Sequence, residues 1–341
     1  MREQMRETFT AFIKWITRPR GGASRMTGLV LLLMTAALPL AHAQQLDPVK
    51  LAIAYIPNIQ FTPLYVGIEK GYYRDAGVDL KIEYGFGMDI YSLLLAGKID
   101  VGLADSDQLI IAGSKGLALA AAFQYYERYP VTIVARKGVV DTPADFAGKT
   151  IGVPELFGTS YIGLQLFLEH YNLKDKVKVE KIGYTQIPAL LSDKIAGAVV
   201  FVTNEPVKLR QMNVPINAWD VMNFSNLVSS SFISSKADLK NRADVLERFF
   251  EATKRAMEYT AGHIDESVTI AMKYINGANE SQRPFLTSAL RTTADLWNSP
   301  KGYGYIDTAR YQESIRTMTA MGLIPSVYAA ESIVNPLAQQ P

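Results

Sequence analysis

The chain of 341 residues has no cysteine and only three histidines. The first absence excludes disulfides, thiol nucleophiles and cysteine-based metal sites together. The second leaves little material for general acid–base catalysis. Beyond the N-terminal region only His170 and His263 remain, both in stretches of helical spacing, with no nucleophile elbow and no metal-ligand spacing around them. Both read as satisfied surface side chains, so neither an enzyme nor a cofactor is expected. Excess charge is lacking too: the formal net charge is +2, and discounting the basic N-terminus brings it near neutrality. No nucleic-acid footprint follows from such a balance. The apolar run from Leu29 to Leu40 is short for a membrane span, which needs roughly 20 apolar residues. It follows Arg18, Arg20 and Arg25 and ends in small residues at Ala41 and Ala43. The expectation is a secretory signal over residues 1–43, cleaved before Gln44, with an uncleaved anchor and a start at Met26 as the alternatives. No Cys follows the run, which excludes lipoprotein anchoring, and Pro19 separates Arg18 from Arg20, which excludes a twin-arginine signal.

What is present is a repeat. The remaining roughly 300 residues suit two domains rather than one ordinary core. "VKLAIAYIPNIQFTPLYVGIEKGYYRDAGVDLKIEYG" from Val49 and "KTIGVPELFGTSYIGLQLFLEHYNLKDKVKVEKIGYTQ" from Lys149 share one order of features. Each has a short apolar strand, a loop punctuated by Pro and Gly, a helix with apolar residues three to four apart, and a second strand. Gly71 and Asn172 mark the two helix ends, being residue types that tolerate a left-handed terminus. A second match follows each unit: "SLLLAGKIDVGLADSDQ" from Ser92 and "PALLSDKIAGAVVFVTNEP" from Pro188. Two βαβ-type units imply two similar α/β lobes. The expected division is 44–130 for the first part of lobe one, 131–229 for lobe two, and 230–341 for the rest of lobe one with C-terminal helices. Crossovers are expected near Val131 and Ser229. The last part is helical, with Val245, Leu246, Phe249, Phe250, Thr253, Ala256 and Met257 on one face, and further helices near Pro284 to Leu296 and Asp307 to Met321.

Ligands of open α/β sheets collect where strand ends lead into helices. In lobe one this principle selects Tyr55, Asn58, Gln60, Phe61, Tyr65, Gly87, Asp89, Asp105, Ser106 and Gln108; at the first crossover Tyr125, Tyr126, Arg128 and Tyr129 form an aromatic group with a cation that stacks a ligand or covers the hinge. In lobe two it selects Phe157, Gly158, Thr159, Ser160, Tyr161, Tyr184, Gln186, Thr203, Asn204 and Glu205. The strand-end set is rich in aromatic and amide groups and holds no Arg or Lys. Such a pocket favours a flat, polar, neutral or weakly cationic ring, stacked on Tyr or Phe and hydrogen-bonded at its edge. Core packing remains the alternative for any single Tyr, and helix capping for Asp105, Thr159 and Ser160. Asn58 is the first choice among the residues of the opening loop.

"YIPNIQFTPLYVGIEKGYYRDAGVDLKIEYG", "LLLAGKIDVGLADSDQ", "DFAGKTIGVPELFGTSYIGLQLFLEHYNL" and "ALLSDKIAGAVVFVTNEP", in this order, resemble the periplasmic substrate-binding proteins of ABC importers. The branch is that serving nitrate, taurine, alkanesulfonates and thiamine pyrimidine precursors. The resemblance covers residues 48 to 325. It implies a type II periplasmic-binding-protein fold, with two α/β lobes joined by two crossover strands and the C-terminal helices packed on lobe one. It also implies a monomer in the periplasm, or retained at the cell surface, that closes on a small molecule and docks on a membrane permease. Sulfonate binders of the branch carry a His after their Gly-Ser/Thr loop, where this chain has Tyr161. Pyrimidine-precursor binders place an Asn near the first strand and an acid in lobe two, positions that Asn58 and Glu205 match. "YGFGMD", "YYERYP" and "TNEPVKL" are similar to proteins proposed for riboflavin uptake. The implied ligand is therefore riboflavin or a thiamine pyrimidine precursor, with a small oxyanion or sulfonate as the alternative. A pyrimidine synthase of the same fold is disfavoured, because those enzymes resemble one another in a Cys-rich motif that this chain lacks.

Overall fold

The structure is a computed structural model and describes residues 46–335 and 337; the expected signal, residues 1–43, lies outside them. The first half-sheet is built from β1 (Asp47–Ile53), β2 (Val78–Tyr84), β3 (Val101–Asp105) and β4 (Leu119–Gln124). Between them run α1 (Thr62–Glu69), α2 (Tyr72–Asp75), α3 (Ile90–Leu95) and α4 (Ser106–Ser114). The second set comprises β5 (Val131–Arg136), β6 (Thr150–Val153), β7 (Lys178–Lys181), β8 (Gly197–Phe201) and β9 (Ile216–Asp220). Its helices are α5 (Gly158–His170), α6 (Gln186–Leu191) and α7 (Glu205–Gln211). The chain then returns through β10 (Ser230–Ser235) to α8 (Lys236–Asn241), α9 (Ala243–Gly262), α10 (Ile264–Ala271), α11 (Arg283–Trp297) and α12 (Thr308–Ala320).

Two five-stranded sheets result, ordered β2-β1-β3-β10-β4 and β7-β6-β8-β5-β9. In each, three strands run parallel in the order second, first, third, so helix-bearing crossovers join them. The fourth position of each is an antiparallel strand that has just arrived from the other sheet: β10 beside β3 and β4, β5 beside β8 and β9. The helix ends fall where residue type allows. Gly71 after α1 and Asn172 after α5 both take left-handed backbone, with φ of 74° and 55°.

The apolar faces of α1, α9, α10 and α11 cover one side of the first sheet, with Phe232, Phe249 and Phe250 fully buried there. A second cluster runs without a break from Leu109 and Ile233 of the first sheet's elements to Val131, Ile162 and Leu164 of the second's. A third, smaller one joins Val134 and Val200 to Leu190 and Leu209. No helix among the described residues is long and apolar enough to cross a membrane.

The two connections between the sheets, β4 to β5 and β9 to β10, are held by one side chain from α12. The Arg310 guanidinium donates to the Glu127 carbonyl and to the Glu127 carboxylate (3.0 Å) in the first connection. It also donates to the carbonyls of Asn226 (2.9 Å) and Leu227 (3.0 Å) in the second. Gln124 repeats the device, its amide donating to the carbonyls of Tyr126 (2.8 Å), Ser229 and Ser230 (both 3.2 Å). The side chains of Arg310 and Glu127 are 14% and 23% exposed, so removing one partner strands a largely buried charge. Arg310→Ala is expected to lower the unfolding free energy by about 3–5 kcal/mol. Arg310→Lys is expected to recover only part, because an ammonium cannot fork to several carbonyls. Urea denaturation midpoints check both.

Candidate ligand-binding site

The carboxyl ends of the parallel strands face a common cleft of about 420 Å³. Into it come Ala54 and Tyr55 after β1, Asp105 at the end of β3, Glu155 after β6, Tyr184 after β7, and Asn204 and Glu205 after β8. A parallel strand ends there with its backbone groups aimed at a helix start, which makes loop residues available to a ligand. Of the residues expected from sequence, Tyr55, Phe61, Asp89, Asp105, Tyr126, Phe157, Thr159, Ser160, Tyr184, Gln186, Asn204 and Glu205 all line this cleft.

Asn58, Tyr65, Ser106 and Tyr161 do not, and each has a local reason. The Asn58 side chain caps the 3-10 turn Ile59–Phe61, accepting from the Gln60 N–H at 3.2 Å. Tyr65 is fully buried and stacked on Tyr274, with ring centroids 4.4 Å apart. Its hydroxyl accepts from the Asn58 N–H (3.1 Å) and from Tyr84 (3.3 Å), so the two residues fix one another instead of a ligand. Ser106 is buried in a hydroxyl triangle with Ser231 and Tyr311, at 2.8 Å from each. Tyr161 lies two residues beyond Thr159 on α5, roughly 200° around the helix, and packs on the core that both sheets share. His170 and His263 are ring-stacked on Phe224 and Tyr259 and stand apart from the cleft.

Gln60 and Gln108, expected at the strand ends, and Tyr125, expected to stack a ligand or cover the hinge, line it too, whereas Met88, Tyr91, Glu155 and Ser230 lay outside the expected set. Tyr125 and Tyr126 donate to the Gln60 carbonyl (2.6 Å) and side-chain oxygen (3.2 Å), which seats the first connection on the opening loop. The doublet of tyrosines was a visible signal for this; Ser230 carried none, since a serine in a strand is unremarkable by itself.

Aromatic rings at the cleft rim are left uncovered. Phe157 is 70% exposed, Tyr184 63% and Phe86 60%. Phe86 stands between Tyr55 and Tyr184, with ring centroids 5.9 and 5.2 Å away, and so brings rings from both sheets' loops into one row. Exposing large rings to water is unfavourable unless something else covers them.

The polar groups differ in how far they are engaged. Those from the first sheet's loops are already engaged. Asp89 caps α3, accepting from the Ser92 hydroxyl (2.6 Å) and N–H (3.1 Å), which hold its carboxyl below the usual carboxylate range. Asp105 accepts from the hydroxyls of Ser230 (2.6 Å) and Thr159 (2.7 Å). It does not cap α4, and the Thr159 hydroxyl does not cap α5: Phe157 occupies that N-cap with no side-chain bond. Gly158, at φ 74°, makes the sharp entry that turns Thr159 toward the acids. From the second sheet's loops, by contrast, Gln186 and Asn204 make no side-chain hydrogen bond among the described residues. Burial pushes the Glu205 carboxyl up, and Glu205 in turn adds to the burial that pushes the Tyr55 hydroxyl up. Among the described residues the lining includes four carboxyl side chains (Asp89, Asp105, Glu155 and Glu205) and no Lys, Arg or His; Glu155 is paired from outside the cleft by Lys181 at 2.5 Å. A smaller groove of about 350 Å³ adjoins, sharing Tyr184, Gln186, Asn204 and Glu205 and ending at Lys208 and Phe285.

The family model described as NMT1/THI5 like matches residues 58–267. The riboflavin-binding protein RibY of Chloroflexus aurantiacus is 28% identical to this chain, over 84% of it and 85% of the relative. The formylaminopyrimidine-binding protein of Halalkalibacterium halodurans is 24% identical, over 84% of this chain and 89% of the relative. The crystal structure of the periplasmic aliphatic sulphonate binding protein SsuA from Escherichia coli aligns with a TM-score of 0.69 at 13% identity, covering 84% of this chain and 97% of that one. The fold is thus that of the periplasmic binding proteins, an α/β fold of two mixed sheets, as the sequence resemblance implied.

The burial pattern separates core rings from rim rings in a way that stability measurements read directly. Phe86→Ala and Tyr184→Ala are expected to change unfolding free energy by less than about 1 kcal/mol, because these rings pack little. Tyr65→Ala is expected to cost about 3–5 kcal/mol. Chemical denaturation of the three variants checks the contrast.

Proposed function

This chain belongs to the NMT1/THI5-like family, and we propose that it is the solute-binding component of an ABC importer that captures a flat nitrogen heterocycle, riboflavin first. The observation that carries this reading is the group of rings at the cleft rim: Phe86, Tyr184 and Phe157 stand uncovered, and half-buried Tyr55 lies against Phe86. A planar ligand slid among them converts exposed aromatic surface into stacked surface, gaining both area burial and ring–ring geometry. The unengaged amides of Gln186 and Asn204 are available to the ring's edge, where an isoalloxazine presents alternating donors and acceptors. The size agrees as well. A cleft of about 420 Å³ with an adjoining groove suits a tricyclic ring bearing a polyol chain, within the roughly 300–1,000 Å³ usual for small-molecule sites.

The electrostatics weigh against sulfonates and nitrate. In the cleft itself an anion would meet Asp89, Asp105 and Glu205 with no guanidinium or ammonium among the described lining residues; Lys208 lies in the adjoining groove, and Lys181 is taken up by Glu155. They favour a second heterocycle reading, an aminopyrimidine, whose amine would give Asp105 or Glu205 a donor. On either reading the working cycle is closure of two lobes, 44–130 with 230–341 against 131–229, around the two connections that Arg310 holds. Closure is driven by the extra affinity of the closed state. Delivery of the ligand to a membrane permease from the periplasm completes the role, with the chain acting as a monomer and as a binder rather than an enzyme.

Quenching of riboflavin fluorescence by the purified protein tests the reading. Saturable quenching at micromolar concentration or tighter is expected, with taurine and nitrate unable to compete. Tyr184→Ala should raise the Kd about tenfold, the equivalent of about 1.4 kcal/mol. Stabilisation against heat by an aminopyrimidine but not by riboflavin transfers the assignment to the pyrimidine class. Unchanged affinity in both Tyr184→Ala and Phe86→Ala would refute the stacking site.

A further inference from the structure

Beneath the cleft lies a second acid that the binding reading does not use. Asp107, in the first turn of α4, is fully buried. Its Oδ1 is 3.0 Å from the Thr159 hydroxyl oxygen and 3.1 Å from the Gln108 amide nitrogen, and its Oδ2 accepts from the Tyr129 hydroxyl at 2.9 Å. The Thr159 hydroxyl therefore stands between two acids, 2.7 Å from Asp105 and 3.0 Å from Asp107. A hydroxyl has one proton and can donate to only one of them. The second short oxygen–oxygen contact needs a proton of its own. Among the described residues neither acid forms an ion pair, and the titratable groups facing Asp107 are Asp105 from β3, Tyr129 from the first connection and Tyr91 from α3. Among the described residues no cation pairs with either acid to offset a second negative charge. The N-terminal end of α4 favours one charge nearby, and Asp105, which accepts from two hydroxyls, takes that place.

We propose that Asp107 is a positioning residue of the cleft: in its neutral form it donates to Thr159, which donates to Asp105, and this chain fastens the start of α5 to the end of β3 so that the cleft is competent to bind. The elements joined belong to different sheets, so the contact is a fastening between the two walls of the site. Tyr129 lies against the same contact, its hydroxyl 2.9 Å from Asp107 Oδ2 and 3.0 Å from the Thr159 carbonyl, donating to one of the two at a time. Loss of the Asp107 proton leaves two carboxylates competing for one hydroxyl proton, and the repulsion opens the contact. Burial, and then the charge of Asp105, push the Asp107 carboxyl up to about 7, which places this event near neutral pH.

This inference rests on the binding reading for its consequence but not for its first test. Asp107→Asn imitates the neutral acid, its amide donating to Thr159 and its carbonyl accepting from Tyr129. A carboxyl raised in the folded state contributes stability that is complete below the ordinary carboxylate range and lost as pH rises toward about 7. The melting temperature of ligand-free wild type should therefore fall by about 5 °C or more relative to Asp107→Asn between pH 5 and pH 8. Parallel curves overturn the proposal. With riboflavin as the probe, wild-type affinity should weaken about tenfold between pH 6 and pH 8, as the competent fraction falls, while Asp107→Asn stays flat. Binding with the same pH profile in both proteins also overturns it. If riboflavin binds neither protein at either pH, the ligand assignment fails while the melting comparison still decides the role of Asp107. Should Asp107→Asn not fold, an infrared pH titration of wild type serves: a buried carboxylic-acid carbonyl stretch at pH 6 that is lost by pH 8 supports the proposal, and its absence at pH 6 overturns it.

Discussion

Two sheets that exchange strands need their exchange points held, and the Arg310 guanidinium, with the Gln124 amide beside it, does this. Arg310 bonds the β4–β5 connection through Glu127 and the β9–β10 connection through two carbonyls. Neither connection has a sheet ladder to satisfy its carbonyls at that point, and buried carbonyls without donors are costly. A planar fork with five N–H groups meets several of them at once. Everything that makes the cleft depends on this, because the antiparallel strands β5 and β10 leave those connections to enter the middle of each sheet. With them in place, the strand ends of both sheets present their loops to one shared space.

That space combines two properties that ordinary packing avoids. Its rim leaves large rings in water, and its lining gathers Asp89, Asp105 and Glu205 with no Lys, Arg or His among the described lining residues. Each is unfavourable alone. A planar ligand with donor groups relieves both, covering the rings and supplying the hydrogens, so the unfavourable free-state surface becomes the source of affinity. Competition for protons goes further at Thr159, where one hydroxyl serves two acids. The chemistry of the visible cleft is thereby linked to a carboxyl beneath it.

Much of the candidate site was legible in the sequence because strand ends are. Apolar runs followed by Pro, Gly and Asn mark where a strand stops, and the fold fixes that such stops face a common cleft. Tyr55, Asp105, Thr159, Tyr184 and Glu205 were found this way. The misses share one cause. Asn58 and Tyr65 sit in the same loop and helix as Tyr55 and Phe61, and nothing local tells a ring that faces the cleft from one that faces Tyr274, over two hundred positions later. Ser230 and Arg310 were invisible for a related reason: serine in a strand and arginine in a helix are common, and only their partners give them roles.

The sequence by itself determined the order of strands and helices, their paired repetition, the left-handed ends at Gly71 and Asn172, and the aromatic, acid-bearing character of the strand-end loops. Those features follow from periodicity and backbone preference, which act over a few residues. Only the tertiary structure decided which rings are core and which are rim, that Thr159 turns away from its own helix toward Asp105 and Asp107, and that Arg310 joins connections 183 and 83 positions away. The physical reason is that a side chain's partner is set by which surfaces pack together, and packing brings together residues whose separation along the chain carries no local signal.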